Sequence, residues 1–351
     1  MLDSSLHTEP VTMTGGDGRR FGAVARSVAG YTLVLALMFS TPLFVFIPAA
    51  LLYCGIRNGR TAAWVTLALG AIVAAALAFV AVPAAQLSPT EVRGHWSDFT
   101  ALILAVGIPA LLVLPRVERE EAFGRVLMLA LVASVAGMFV TEASMRLAAG
   151  FSPFAEEVRL FQESSAVMAK AYQSSGMPAD AVNAAVGFVH KTTDVLVYCL
   201  TGAFLVLVSV MFTLSLMMVG RLRAWRTFVR TRQITGTPYL FRKLSLPDWL
   251  LFAFVLAGLS PLATGVLRHI GANVLAIVIF LYLLQGLAIF RSLLATVGAG
   301  FIGVMFAYAM LLFLTMTGIA PLLLSIAGLF DSFFDFRHFN RKDDSNESHI
   351  D

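Results

Sequence analysis

Apolar residues in this chain run in long stretches instead of alternating with polar ones. The stretches fall at residues 28–56, 61–82, 99–114, 123–148, 195–219, 249–267, 271–290 and 295–330. Crossing about 30 Å of hydrocarbon takes about 20 helical residues. Inside lipid only helices and closed barrels satisfy every backbone group. The pattern predicts an all-α, polytopic membrane helix bundle of about eight apolar segments. The first and last runs are too long for one simple crossing. Pro42 and Pro48 interrupt the first, and Gly318 and Pro321 the last. Proline removes an intrahelical hydrogen bond and clashes with the preceding turn. Each of these runs is therefore expected to be a broken or re-entrant pair of short helices.

The polar segments divide the rest. Residues 1–27 read as a polar tail, 28–335 as the membrane bundle and 336–351 as a second polar tail. Within the bundle, residues 150–193 form the one sizeable water-side region. Ser152 and Pro153 suit an N-cap and a first helical position. Phe154, Val158, Phe161, Met168 and Tyr172 then follow at helical spacing. Ser174, Ser175 and Gly176 break the pattern, and Pro178 starts a second helix carrying Val182, Val186 and Val189. An amphipathic helical hairpin is expected, lying on the membrane surface, capping the bundle or serving as a lid over an external cavity.

Charge then sets an orientation. Between residues 220 and 247 stand Arg221, Arg223, Arg226, Arg230, Arg232, Arg242 and Lys243, with no acid. Basic loops stay in the cytoplasm, which places 220–247 inside and 150–193 outside. Arg57, Arg60, Arg116, Arg119, Arg125 and Arg291 then fall inside as well. Arg19, Arg20 and Arg26 at one end, and Arg337, Arg341 and Lys342 at the other, belong inside if both end runs turn back. The expectation is a multi-pass membrane protein with anionic lipids at the cytoplasmic face contacting Arg221, Arg223, Arg226, Arg230 and Arg232.

Composition agrees. Of 351 residues 58% are hydrophobic and 13% charged, and mean hydropathy is +0.83. A soluble protein so composed would expose large apolar patches and aggregate, so a soluble enzyme and a disordered chain are excluded. Cys54 and Cys199 sit inside apolar runs, as small buried hydrophobes do. No metal-ligand spacing, Walker loop or nucleophile elbow occurs. The expectation is a protein that is not an enzyme, takes no metal or cofactor, and is an unlikely partner for nucleic acid.

Polar residues inside apolar segments are costly unless partnered, and so point to a site. Gln285, with Tyr282 one turn before it and Gly286 beside it, reads as an interhelical hydrogen bond or as a ligand contact. Asn273 and Arg268, with His269, cluster at an expected outer turn. Gln285, Tyr282, Asn273 and Arg268 are the candidate ligand-binding residues. Glu142 and Arg146 read as an i,i+4 pair. Asp331 and Asp335 share one helix face among Phe330, Phe333, Phe334 and Phe336, followed by Arg337. One reading is an interfacial helix end with the carboxylates outward. The other is a structural motif in which an Asp pairs with Arg337 or with the basic loop.

The block Tyr282-Leu283-Leu284-Gln285-Gly286-Leu287-Ala288, followed by Gly328-Leu329-Phe330-Asp331-Ser332 and Phe334-Asp335-Phe336-Arg337, resembles the signature of the YybS-like family of bacterial integral membrane proteins. That family is similar in fold to the S components of energy-coupling-factor transporters and to MreD-like proteins. The resemblance implies that the membrane is a bacterial inner membrane. It also implies a membrane or ATPase partner protein, docked in S components through small residues on the first helix. Ala25 and Ala29 have that spacing. Two functions stay open: a small-molecule binding or transport subunit, and a membrane scaffold presenting its basic loop to partners.

Overall fold

The computed structural model describes residues 17–84, 89–222 and 239–334. Every regular element among them is helical: α1 (Asp17–Phe39), α2 (Ile47–Asn58), α3 (Arg60–Ala84), α4 (Pro89–Leu102), α5 (Ile108–Glu118), α6 (Phe123–Ala149), α7 (Pro153–Gln173), α8 (Ala179–Tyr198), α9 (Leu200–Arg221), α10 (Trp249–Gly258), α11 (Gly265–Thr296), α12 (Phe301–Met316) and α13 (Ile319–Phe334). Among the described residues, six stretches are long and apolar enough to cross a membrane: Gly22–Phe39, Arg60–Val80, Val92–Glu118, Phe123–Ala149, Leu200–Arg221 and Gly265–Thr296. The pair Phe301–Met316 and Ile319–Phe334 passes the same test only together, bent by 109° at its break. The chain is an all-α polytopic membrane bundle.

The first apolar run doubles back. Phe39 ends α1, Thr41 caps the short 3-10 turn Pro42–Phe46, and α2 returns. Asn58 Nδ2 donates to Ser27 Oγ at 3.0 Å across 31 positions. In one straight helix those residues would stand about 46 Å apart. The last run also turns, at Gly318, whose φ of +74° suits glycine. Along α13, Ser325, Gly328 and Asp331 meet Ile279, Tyr282 and Gln285 of α11 in that order. The two helices therefore run parallel, and α12 is the return limb between them.

Contacts sort the residues into two ends. One end holds the Ser27–Asn58 bond, the Arg60–Glu118 pair at 2.9 Å, the Ser245 carbonyl packed on Gly124, and the Leu246 amide on Gln285. Arg57, Arg116, Arg119, Arg125, Arg242 and Lys243 are within a few residues of these contacts. The other end holds the α7–α8 hairpin, with Glu142 bonded to Ser152 and Asn273 bonded to Gly202. Between them Leu35, Leu51, Leu52, Leu114, Leu127, Met211, Phe212 and Leu216 form the buried core.

Four expected segments are corrected. Residues 249–267 are not a crossing: α10 stops at Gly258, and Ser260–Leu262 with Pro261 makes a 3-10 turn. The next helix starts at Gly265, not 271, so Arg268, His269 and Asn273 lie within α11 and not in a turn. The run 195–219 is split at Cys199, where φ −102° and ψ 13° end α8 one residue before α9 begins. The run 99–114 is the middle of a longer span that contains a π turn at Ile103–Gly107. There Ile108 N–H donates to Ile103, and Pro109 has no N–H to offer Leu104. The Leu104 carbonyl instead faces Gly137 of α6, where a Cβ would lie 2.1 Å from it.

Candidate functional site

The candidate site forms where α13 lies on α11. Both helices approach backbone to backbone. A Cβ on Gly286 would lie 1.9 Å from the Leu324 carbonyl, and one on Gly328 2.0 Å from that of Tyr282. Small residues permit such approach in membranes, where van der Waals packing and interhelical hydrogen bonds drive association. The approach carries Gln285 (1% exposed) to Asp331 (9%), and Gln285 Nε2 donates to Asp331 Oδ2 at 3.0 Å. Gln285 Oε1 accepts the Leu246 N–H at 3.3 Å. One amide thus ties together α11, α13 and the segment leading into α10. Tyr282 is buried one turn earlier, its ring edge-on to Phe254 at 6.0 Å, with Ser332 and Asp248 near its hydroxyl.

The outward reading of Asp331 is corrected: its carboxylate points inward to Gln285, while Phe330, Phe333 and Phe334 face outward. A buried carboxylate is costly without hydrogen bonds, and Gln285 supplies one. Asp335 and Arg337 lie outside the described residues, as do Arg223, Arg226, Arg230 and Arg232. Arg221 is exposed at the end of α9.

The other two candidates stand elsewhere. Asn273 is 12 positions before Gln285 on the same helix, about 18 Å along its axis. Its Oδ1 accepts the Gly202 N–H at 2.7 Å, and its Nδ2 donates to the Tyr198 and His269 carbonyls at 2.9 Å. Asn273 thus holds the backbone groups left open where α8 breaks into α9. Arg268 is exposed. The structure groups Gln285 with Tyr282 and separates both from Asn273 and Arg268.

At the hairpin end, Glu142 does more than pair with Arg146. Its Oε1 accepts from Arg146 Nε and from the Ser152 hydroxyl, both at 2.6 Å, and its Oε2 accepts the Phe154 N–H at 3.2 Å. It thereby caps α7 from the preceding helix. Ser152 Oγ accepts the Ala155 N–H at 3.2 Å. The Ser-Pro start of α7 carried a signal for the cap, but none for Glu142. On α7, Arg159 bonds to Glu156 and Glu163, and that contact lowers the Glu156 pKa. Burial raises the Glu157 pKa, and the Asp98 and Glu156 charges add to the rise. At the basic end, burial raises the pKa of Glu120 and of Tyr239. Among the described residues no group of three or more His, Cys, Asp or Glu could hold a metal ion.

A family model described as "Predicted membrane protein (DUF2232)" matches residues 29–332. The chain belongs to this family. No curated protein and no solved structure matches it. The DUF2232 match runs from α1 through Ser332 and so includes Gln285, Gly286, Gly328 and Asp331. It ends before Asp335 and Arg337.

Proposed function

We propose that the protein is a membrane scaffold or assembly subunit of a bacterial inner membrane, not an enzyme and not a carrier of a small molecule. One observation supports this reading above others. The polar side chains of the central helix, which a ligand would need, are already engaged: Gln285 by Asp331 and Leu246, and Asn273 by Gly202, Tyr198 and His269. Polar groups so used fix helix packing. The partner surface is the basic end, facing the cytoplasm as basic segments do. The resemblance to YybS-like proteins, S components and MreD-like proteins supports a membrane protein or ATPase as the partner.

Crosslinking of the protein in its native membrane, followed by purification, tests this. Discrete partner bands are expected, and they should weaken when Arg226, Arg230 and Arg232 are changed together to Glu. Native mass spectrometry is run alongside. A small molecule retained at one per chain, with no protein partner captured, overturns the scaffold reading in favour of a transport subunit.

A further inference from the structure

One break in the bundle is made by the side chain of another helix. Were α8 and α9 continuous, the Gly202 N–H would donate to the Tyr198 carbonyl four residues earlier. Asn273 of α11 stands between the two groups. Its Oδ1 takes the Gly202 N–H at 2.7 Å, and its Nδ2 donates to the Tyr198 carbonyl at 2.9 Å. A side chain that enters the helical ladder in this way kinks the helix. The ladder resumes on either side of the kink. Cys199 N–H donates to the Val195 carbonyl at 3.0 Å, and Ala203 N–H to that of Cys199 at 2.8 Å.

The two groups that Asn273 holds are each other's helical partners. If its amide withdrew, they would pair with one another and neither would be left open. The amide would keep its bond to the His269 carbonyl, at 2.9 Å on its own helix. Tyr198, Cys199 and His269 are partly exposed, so water can reach the freed Oδ1. A second fully bonded arrangement therefore exists. Beyond the break the hairpin is one body, since α7 and α8 pack along each other and bury Ser165, Ala169 and Val189. Its other attachment is the short link after α6, where Gly150 has φ +59°. We propose that the α8–α9 break is a hinge for the α7–α8 hairpin, with Asn273 as its latch. Latched, the chain is bent at Cys199. Released, Gly202 pairs again with Tyr198, α8 runs straight into α9, and the hairpin swings about Cys199 and Gly150. The 20 residues of α8 make a lever about 30 Å long. Straightening a kink of about 20° would carry the hairpin tip about 10 Å. This inference is independent of the scaffold reading.

The test is pulsed electron paramagnetic resonance of the full-length protein in lipid nanodiscs. Nitroxides on p-acetylphenylalanine in place of Ser175 and Thr264 measure the hairpin tip against the start of α11 and leave Cys199 untouched. Asn273→Leu removes the latch. Gly202→Ala pushes it out, because the new Cβ would lie 3.1 Å from Asn273 Oδ1. Both should move the main distance by about 10 Å, to a position that the wild type samples as a minor share. Hydrogen exchange separates a hinge from a fixed bend: the residue 202 amide should stay protected in both variants, because Tyr198 takes it back. Asn183→Ala, on the exposed side of α8, should change neither reading. Gel filtration confirms that each variant is folded, and if Asn273→Leu is not, Gly202→Ala decides. An unchanged distance in either folded variant overturns the proposal, as does a wild type confined to one distance. Loss of protection at residue 202 also overturns it, and would make Asn273 the permanent cap of a fixed bend.

Discussion

Gly286 and Gly328 do what no other residue could do in their places. A methyl group on either would have to occupy space already filled by a backbone carbonyl, and a backbone cannot rotate aside as a side chain can. Gly328→Ala should therefore cost about 1–3 kcal/mol, visible as a lower thermal midpoint and less folded protein. Gly303→Ala on α12 is the control, because its Cβ would meet nothing closer than 3.5 Å. Removing the carboxylate at Asp331 leaves the buried Gln285 amide without an acceptor, at about 1–3 kcal/mol. Asp331→Ala should lower membrane abundance more than Asp331→Asn, which keeps a carbonyl oxygen. An Asp331→Asn protein of normal abundance that has lost its cellular role would overturn the structural reading of this carboxylate. At this scale the sequence was legible where one residue is anomalous by itself. Gln285 in a leucine-rich helix announces a buried hydrogen bond. Its acceptor was not legible, because it lies 46 positions away and the pairing depends on how α13 lies on α11.

Elements were legible where proline or glycine punctuates them. Ser152-Pro153 opens α7, Gly176 with φ +71° separates it from α8, and Pro42 breaks the first run. They were not legible where an apolar run continues across a break, as at Cys199, or where charged residues are absorbed into a helix, as Arg268 is. Hydropathy reads composition, and it cannot see a helix end within an apolar stretch. The hairpin carries a pH dependence of its own. Glu157 on α7 titrates above its ordinary value of about 4.3, so the folded state binds a proton more tightly than the unfolded one. Its contribution is fully favourable below the ordinary value and is lost as pH rises through the raised one. Glu156 on the same helix, its pKa lowered by Arg159, acts in the opposite sense, so the Glu157 share is read as the difference between wild type and Glu157→Gln. Relative to that variant, amide hydrogen exchange in wild-type α7, corrected for intrinsic rates, should be slower on the acid side of the window than above it. A difference of the opposite sign would reverse the assignment.

For the molecule as a whole, the two returns leave α1 beginning and α13 ending at the same basic end. Combined with the excess of arginine there, this expects both termini in the cytoplasm and the hairpin outside. A Ser164→Cys probe should react with a membrane-impermeant thiol reagent in intact cells, and a Thr231→Cys probe should not, in a background lacking Cys54 and Cys199. A reporter active only outside the cytoplasm should stay silent when fused after Asp351. Labelling in the reverse pattern would invert the whole arrangement.

The parallel lie of α13 on α11 also has a meaning in time. A chain made from its N-terminus exposes Gln285 to the bilayer before Asp331 exists. At about 5–20 residues per second, synthesis of the intervening 46 residues takes roughly 2–9 s. During that interval the amide has the Leu246 N–H and no carboxylate. A chain that stops early, or in which α12 fails to turn, keeps an unmatched polar group in lipid, where it is open to a chaperone or a membrane protease. Closing the pair reports that the last helix has arrived, and a timed translation arrest on either side of Asp331 should separate degraded chains from stable ones.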